Sequence, residues 1–584
     1  MIKRARRSSF NANKRKRVKH KMKKIISALL AAAMSLSLAA CGASTTETTT
    51  AATTQAVEAS AQAGEKADQH IENLVIGTSS QPDETSIYSQ SGSIGKFQYN
   101  CITNPTFFYL DENNQIQGYF VKTYNISDDG CELTMTFPTD KHWHDGEPVT
   151  ADDVVFTMEY RRDVIKNASL KNLTEVRVDS DDQVTCVFSQ PDAYYWVRSN
   201  PITQGVLPKH IWENVDDPSN YAEDDAAIGC GPYKLTSVDT DAGIVVFDAY
   251  EGNGYLGDLK VDRITLKSYS SKDAELMALA NKEIDFMYDY ASPTSYTLLD
   301  VISGKDFIDE GRSQYNGCNQ ATFGMNTAAN QVYEFREAVV KCLDWDLIRQ
   351  TSCGDYGQTP GSGVIPPANV GYDDSLWKFY TDVDEANKIL DDAGFKDVDG
   401  DGFRELPDGT AFTYKVSSQM SKAQQELFNR IGEIMVDGLK KIGVNAYYDT
   451  DALTSAEANK AMVTEGNYDL FIGYTTSGVA SYRTAIWYFL NRDIAGSGGY
   501  DWGNTLNDPE LNDAYVALQG ANSDEEYVAA VKGLQKIVSE KLYGFALTWE
   551  DCFFPYRTDE FDNLVYYPAI GVVTPVLFYN ISVK

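Results

Sequence analysis

QQELFNRIGEIMVDGLKK, residues 424–441, decides the fold. Leu427, Ile431, Ile434, Met435 and Leu439 recur at helical spacing and give the segment one apolar stripe. Gly443 stops it. On either side the pattern changes to strand: residues 412–417 before it, and 444–448 after it. Residues 456–464 then read as a second helix and 468–474 as a third strand. The order β-α-β-α-β requires a parallel sheet with right-handed crossovers. Ligands bind outside the carboxyl ends of such strands. Here that end is GYTTSG, residues 473–478.

The amino-terminal stretch sets the address. In KKIISALLAAAMSLSLAACG, residues 23–42, a basic start runs into an uncharged apolar core and closes on Leu38, Ala39, Ala40 and Cys41. Leu, small residues and Cys in that order resemble the bacterial lipobox. The resemblance implies that residues 1–40 are a signal peptide and that Cys41 carries a diacylglycerol at the mature amino terminus. The apolar run is short for a stable membrane span, and a polar tract follows at once. Residues 1–24 hold twelve Lys and Arg and no acid, and Met22 offers a second start. Arg6 and Arg7 do not make a twin-arginine signal, because Phe10 falls one place late. Residues 41–69, rich in Thr, Ala and Ser, bury too little to fold and read as a flexible linker. The expected location is the extracytoplasmic face of the cell membrane.

The remaining chain is too long for one simple core, so two lobes are expected. Taking the twelve basic residues of 1–24 from 51 leaves 39 against 84 acidic, a net charge of −45. Such a surface repels phosphate backbones, which excludes nucleic acid as a partner. The 36 Tyr and 8 Trp suit a solute cleft, each pairing apolar area with a polar handle. No CxxC pair occurs among the eight Cys after Cys41. Export permits disulfides, yet Cys186 and Cys342 sit in apolar surroundings and read as core thiols.

Strand-like pieces occur at 74–77, 107–110, 118–124 and 131–137. KHWHDGEPVTADDVVFTMEYRRD, residues 141–163, follows, with Thr150 and Asp153 at capping-box spacing and Val154, Val155 and Met158 on an apolar face. Trp143, Asp145, Gly146, Pro148, Thr150, Ala151, Asp152, Asp153 and Val154 resemble the signature of the family 5 extracellular solute-binding proteins of ABC importers, the dipeptide, oligopeptide and nickel group. LPKHIWE from Leu207, GCGPYKL from Gly229, ALANKEIDF ending at Phe286, FGMNT from Phe323 and DAGFKDVDGDG from Asp392 fit it in order. The resemblance implies an α/β, two-lobed periplasmic-binding-protein-like (type II) clamp with an extra subdomain. One lobe would comprise 70–103, 229–322 and 541–584, with 104–228 as its side subdomain; the other would comprise 323–540. Closure would be a hinge motion around the solute.

In peptide-binding relatives an acid just after the strand matching 468–474 holds the peptide's amino terminus. That position falls near Ser477, and no acid lies between Asp469 and Asp493. A buried ammonium needs a carboxylate. Either an acid comes from elsewhere or the solute has no free amino terminus. The expected ligand-binding set is Tyr474, Thr475, Thr476, Ser477, Arg483, Trp487 and Trp502: hydroxyls, aromatic faces and one guanidinium. A solvated loop with a core Trp is the alternative.

DVDGDGFRELPD, residues 397–408, has calcium-loop spacing with Asp397, Asp399, Asp401 and Asp408 as ligands, against a plain acidic turn. His142 and His144 lie at strand spacing but inside the signature, so a metal role there is disfavoured. No GxSxG, HExxH or P-loop occurs, and the chain reads as no enzyme and as needing no cofactor beyond that calcium. The expected function is that of a monomeric lipoprotein capturing a small solute, a peptide first, for the permease of an ABC importer. An oligosaccharide solute and a peptide-pheromone receptor stay open.

Overall fold

The computed structural model describes residues 70–82, 95, 97, 102–113, 115–199, 205–221, 223–290, 292–315, 317–421, 424–476 and 506–584, all within the unit Ala67–Lys584. In chain order, the strands that build its two large sheets and join them are β1 (Leu74–Thr78), β2 (Tyr233–Asp239), β3 (Ile244–Ala249), β4 (Arg263–Ser268), β5 (Phe286–Met287), β6 (Ile308–Asp309), β7 (Arg312–Gln314), β8 (Gly317–Phe323), β9 (Gly357–Gln358), β10 (Tyr414–Ser418), β11 (Ala446–Tyr448), β12 (Leu470–Thr476), β13 (Gly544–Ala546), β14 (Trp549–Phe553) and β15 (Tyr556–Arg557).

The first sheet has seven strands in the order β6-β15-β5-β1-β4-β3-β2. β1 lies between parallel neighbours, β4 and β5. A strand covered on both faces needs a continuous apolar run, and Leu74 to Gly77 supplies it. The second sheet has the order β11-β10-β12-β8-β13. Its β11-β10-β12 part is parallel, as the β-α-β-α-β order requires, while β8 and β13 pair antiparallel.

The helix Gln425–Lys441 buries Phe428, Ile431, Met435 and Leu439 against that sheet, with Leu427 and Ile434 half-buried at its margin. Each fully buried side chain of this size contributes about 1.5–3 kcal/mol, enough to fix which face packs. Gly443, at φ 73°, makes the left-handed turn beyond the helix.

A four-stranded antiparallel sheet over 123–188 carries its own core around Phe120, Leu133, Trp143, Val154 and Met158. The helix Ala151–Asp163 closes it, and the capping box forms. Asp153 Oδ2 accepts from Thr150 N and Oγ1, both at 2.9 Å, and from Trp143 Nε1 at 3.4 Å. Asp153 Oδ1 accepts from Lys209 N at 2.9 Å. The signature residues are therefore a knot that ties the loop at 207–209 to the helix start.

Two expectations change. Residues 118–124 are not one strand: Ile116–Gly118 and Thr123–Ile126 flank a turn. Tyr119, Phe120 and Val121 are all buried, so no two-residue alternation runs through it. His142 is exposed and His144 buried, so they present no common ligand face. Burial pushes the His144 ring down to about 4, and its Nε2 meets Gly231 O at 3.0 Å. The described cysteines are free thiols; Cys186 and Cys342 are buried as expected. Cys41, the lipidation candidate, lies outside the described residues.

Candidate functional site

The chain passes between the two large sheets twice. It leaves the first sheet at β6, runs through β7 and enters the second at β8; it returns from β13 through β14 to β15. The two crossing strands hydrogen-bond to each other, with Arg312 opposite Phe553, Ser313 opposite Cys552 and Gln314 opposite Asp551. Tyr315 N donates to Glu550 O at 3.0 Å and extends the register by one. β9 covers the other edge of β14.

Register fixes which strand ends face this crossing. β8 begins at it, and β12 runs antiparallel to β8, so the carboxyl end of β12 arrives there, with Thr476 opposite Gly317 and Thr475 opposite Cys318. β10 and β11 are parallel to β12 and end on the same side. In the first sheet β5 runs antiparallel to β15, so it too points at the crossing; Thr294, beyond it, bridges to Phe553 in β14. β1 and β4 share that direction. The carboxyl ends of both parallel sets thus converge on one place, where open α/β sheets bind ligands.

On the first-sheet side, Asp289 Oδ1 accepts from Thr78 Oγ1, Ser79 N and Ser79 Oγ at 2.9–3.0 Å, and Lys272 Nζ pairs with Oδ2. Glu275, fully buried, lies 3.8 Å from that ammonium. Burial pushes the Asp289 carboxyl up, but Lys272 and the hydrogen bonds overcome this and hold it below its ordinary value. Burial and the Asp289 charge push Glu275 well above its own.

On the second-sheet side, Ser418 Oγ meets Tyr448 OH at 2.7 Å, and Gln419 Oε1 accepts from Tyr474 N at 3.4 Å. The half-buried Tyr474 ring stacks on Phe428 at 6.5 Å. At the crossing itself a recess of about 250 Å³ is lined by Arg312, Gln314, Asp355, Gln358, Glu550 and Asp551, among others. Glu550 is half-buried, and burial with the neighbouring Asp551 raises its carboxyl to about 7.

Of the expected ligand set, the structure places Tyr474, Thr475 and Thr476 at the converging strand ends; Ser477, Arg483, Trp487 and Trp502 lie outside the described residues. Asp469, the last acid before that loop, sits at the opposite end of β12 and is committed to Lys415 N and Thr327 Oγ1, both at 2.6 Å. Asp289, Lys272, Tyr315 and Glu550 were not anticipated. The acid pair in WEDCFF, residues 549–554, was the available signal, since charge inside an apolar run needs a reason.

Asp397, Asp399 and Asp401 bring carboxylate oxygens within 4.8 Å of one another. Their oxygens already accept from Gly400, Gly402, Asp401 and Phe403 N–H groups. Asp408 is not in that group; it accepts from Thr410 N at 3.0 Å. Calcium takes six to eight oxygens, so backbone carbonyls and water would have to complete a site on these three exposed carboxylates.

Away from the crossing, a second contact joins the 104–228 region to the helices Pro509–Gln519 and Asp524–Lys541. Tyr195 OH and Tyr515 OH lie 3.1 Å apart, Arg198 lies 3.8 Å from Asp524, and Tyr194 OH donates to Asp524.

Comparison with known proteins agrees with this architecture. The oligopeptide-binding protein AppA of Bacillus subtilis is 25% identical over 402 residues, covering 64% of this chain and 68% of that protein. Its structure in complex with a nonapeptide superposes with a TM-score of 0.68 at 17% identity, over 88% of this chain and 99% of that one. A protein from Brucella ovis is 24% identical over 315 residues, so the chain spans 51% of itself and 55% of that relative. A periplasmic oligopeptide-binding protein from Thermotoga maritima, bound to mannohexaose, gives a TM-score of 0.66 at 22% identity, over 88% and 99%. The profile of the bacterial extracellular solute-binding proteins, family 5, matches residues 115–497. A knot of signature residues, two sheets joined by paired crossing strands and a match over more than half the sequence make the chain a member of the bacterial extracellular solute-binding proteins, family 5.

Proposed function

We propose that the chain captures peptides between two hinged lobes and delivers them, unchanged, to the permease of an ABC importer. The observation that carries this is the convergence of both sets of strand carboxyl ends on the paired crossing strands β7 and β14. One lobe comprises 70–103, 229–322 and 541–584 with 104–228 at its side; the other comprises 323–540. β8, but for Phe323, and β13 fall within the first lobe's bounds yet hydrogen-bond in the second sheet, while the crossing strands β7 and β14 join the two sheets. Two crossings held in one ladder permit bending about a single axis, the motion a clamp needs. Closure is a population shift toward the form that contacts solute on both sides. Main-chain bonding to an extended peptide gives affinity without a side-chain requirement. The nonapeptide held by AppA supports this solute class. An oligosaccharide is the second reading, favoured by the lack of an acid after β12 and by the mannohexaose-bound neighbour. Cys41 tethers the clamp to the membrane through lipid, with 42–69 as the tether.

The test is the thermal midpoint of the purified protein against peptide pools and against oligosaccharides. A ligand that binds the folded form alone raises the midpoint with concentration. Peptides are expected to raise it and to be recovered intact. Stabilisation by sugars and by no peptide would overturn the first reading. Cys41→Ala is expected to release the protein from membranes; unchanged retention would refute the anchor.

A further inference from the structure

Register sorts the residues of the second sheet between its two faces. Ala321, Phe323, Leu470, Ile472 and Phe545 pack in the core with the helix Gln425–Lys441. Side chains alternate along a strand, so Gln320 in β8 takes the other face, level with Gly473 in β12 and Ala546 in β13. On that face Cys318, one pleat nearer the crossing, packs with Ala546 and Trp549. Trp549 in turn lines the recess at the crossing. The face therefore leads from Gln320 to the place where the strand ends converge.

Gln320 is 1% exposed, and neither its Oε1 nor its Nε2 has a hydrogen-bond partner. Among the described residues no other buried carboxamide is unpaired at both atoms. The register gives the reason: Gly473 has no side chain and Ala546 only a methyl, so neither flanking strand offers a group to bond. Leu547 N donates to Asn319 O at 2.8 Å and carries the ladder one residue further. Leu547 belongs to the core, so Thr548 turns to the face of Gln320. The Thr548 hydroxyl is buried and unpaired, and so is Nε1 of Trp549, itself 5% exposed. Buried polar atoms without partners destabilise a fold, and a series of them beside a ligand-binding strand end points to a molecule that completes them.

Their chemistry describes that molecule. A carboxamide presents one donor and one acceptor side by side. In an extended chain the N–H and C=O of one residue point to the same side, and a neighbouring strand bonds to both. Gln320 offers the same complement at the tip of a side chain. Thr548 and Trp549 add a hydroxyl and an N–H donor, and none of the three carries charge.

We infer that Gln320 is a solute-binding residue whose carboxamide pairs with the N–H and C=O of a single residue of a bound, extended peptide, with Thr548 and Trp549 continuing the contact toward the crossing. This inference rests on the peptide reading above. It has a consequence that a packing residue would not share. Removing an unpaired amide relieves the free protein, so the change that weakens binding should also raise stability.

The experiment compares the full mature protein with Gln320→Met and Gln320→Leu, two apolar side chains of similar volume. Each is melted without ligand and titrated calorimetrically with pentaalanine and with its singly N-methylated analogues. Both variants are expected to melt above the wild type and to bind pentaalanine at least tenfold more weakly. At one position of the peptide, N-methylation is expected to weaken binding to the wild type and to cost nothing further in the variants. Variants that both melt lower or fail to fold would overturn the inference, because the amide would then be holding the fold together. Variants that bind pentaalanine as the wild type does would assign the amide to buried water and overturn it too, with the peptide reading left standing. Binding of no peptide by the wild type would overturn both.

Discussion

Lys272→Met removes the ammonium that faces Asp289 and Glu275 beneath the carboxyl ends of β1 and β5. The Asp289 side chain is 2% exposed and that of Lys272 18%. Removing one partner of a buried ion pair costs about 3–5 kcal/mol, because the other charge stays buried without compensation. Lys272 is partly wet, so the lower end, about 3 kcal/mol at pH 7, is expected. The pH dependence follows from the two carboxyls. Asp289 is held below its ordinary 3.8, so its contribution is present above that value and lost as the pH falls through its folded value. Glu275 is raised, so its contribution is full below its ordinary 4.5 and lost as the pH rises through its folded value. In the variant Asp289 loses its counter-charge and protonates more readily. The gap between variant and wild type should narrow to about 1 kcal/mol near pH 4. Urea unfolding followed by tryptophan fluorescence at both pH values measures it. A loss under about 1 kcal/mol at pH 7, or an equal loss at both pH values, would refute the reasoning.

Asp153→Ala removes the acceptor shared by Thr150, Trp143 and Lys209 and should cost about 2–4 kcal/mol in thermal unfolding, since each bond to a charged acceptor contributes about 1.5–3 kcal/mol and their effects overlap; a loss below about 0.5 kcal/mol would show the knot is slack. Asp524→Ala breaks the contact with Tyr194 and Arg198 and should weaken peptide affinity about tenfold, with little change in unliganded stability; unchanged affinity would show that this contact takes no part in closure. The Asp397–Asp401 turn is already held by its own backbone donors, so calcium or EDTA should leave the thermal midpoint where it was; a rise with calcium would favour the calcium loop over the plain acidic turn.

The helix at 424–441 and the parallel strands around it were legible because their period is long enough to count. Phe428 was passed over, although it anchors that helix and carries Tyr474. The capping box at Thr150 was legible because it is local. The crossing was not, for a physical reason: β7 and β14 are three and five residues long, too short for a countable alternation. What defines them is pairing between positions as far apart as Arg312 and Asp551, 239 residues along the chain. Glu550 and Asp289 became site residues only when that pairing placed them. Tyr474, Thr475 and Thr476 followed from the rule that strand ends carry ligands, which needs topology but no side-chain detail.

The two-sheet clamp is tested most directly by small-angle X-ray scattering of the mature protein with and without a saturating peptide that raises its thermal midpoint. The radius of gyration should fall on binding and recover when the peptide is dialysed away. A radius that stays the same at saturation would contradict closure about the paired strands β7 and β14.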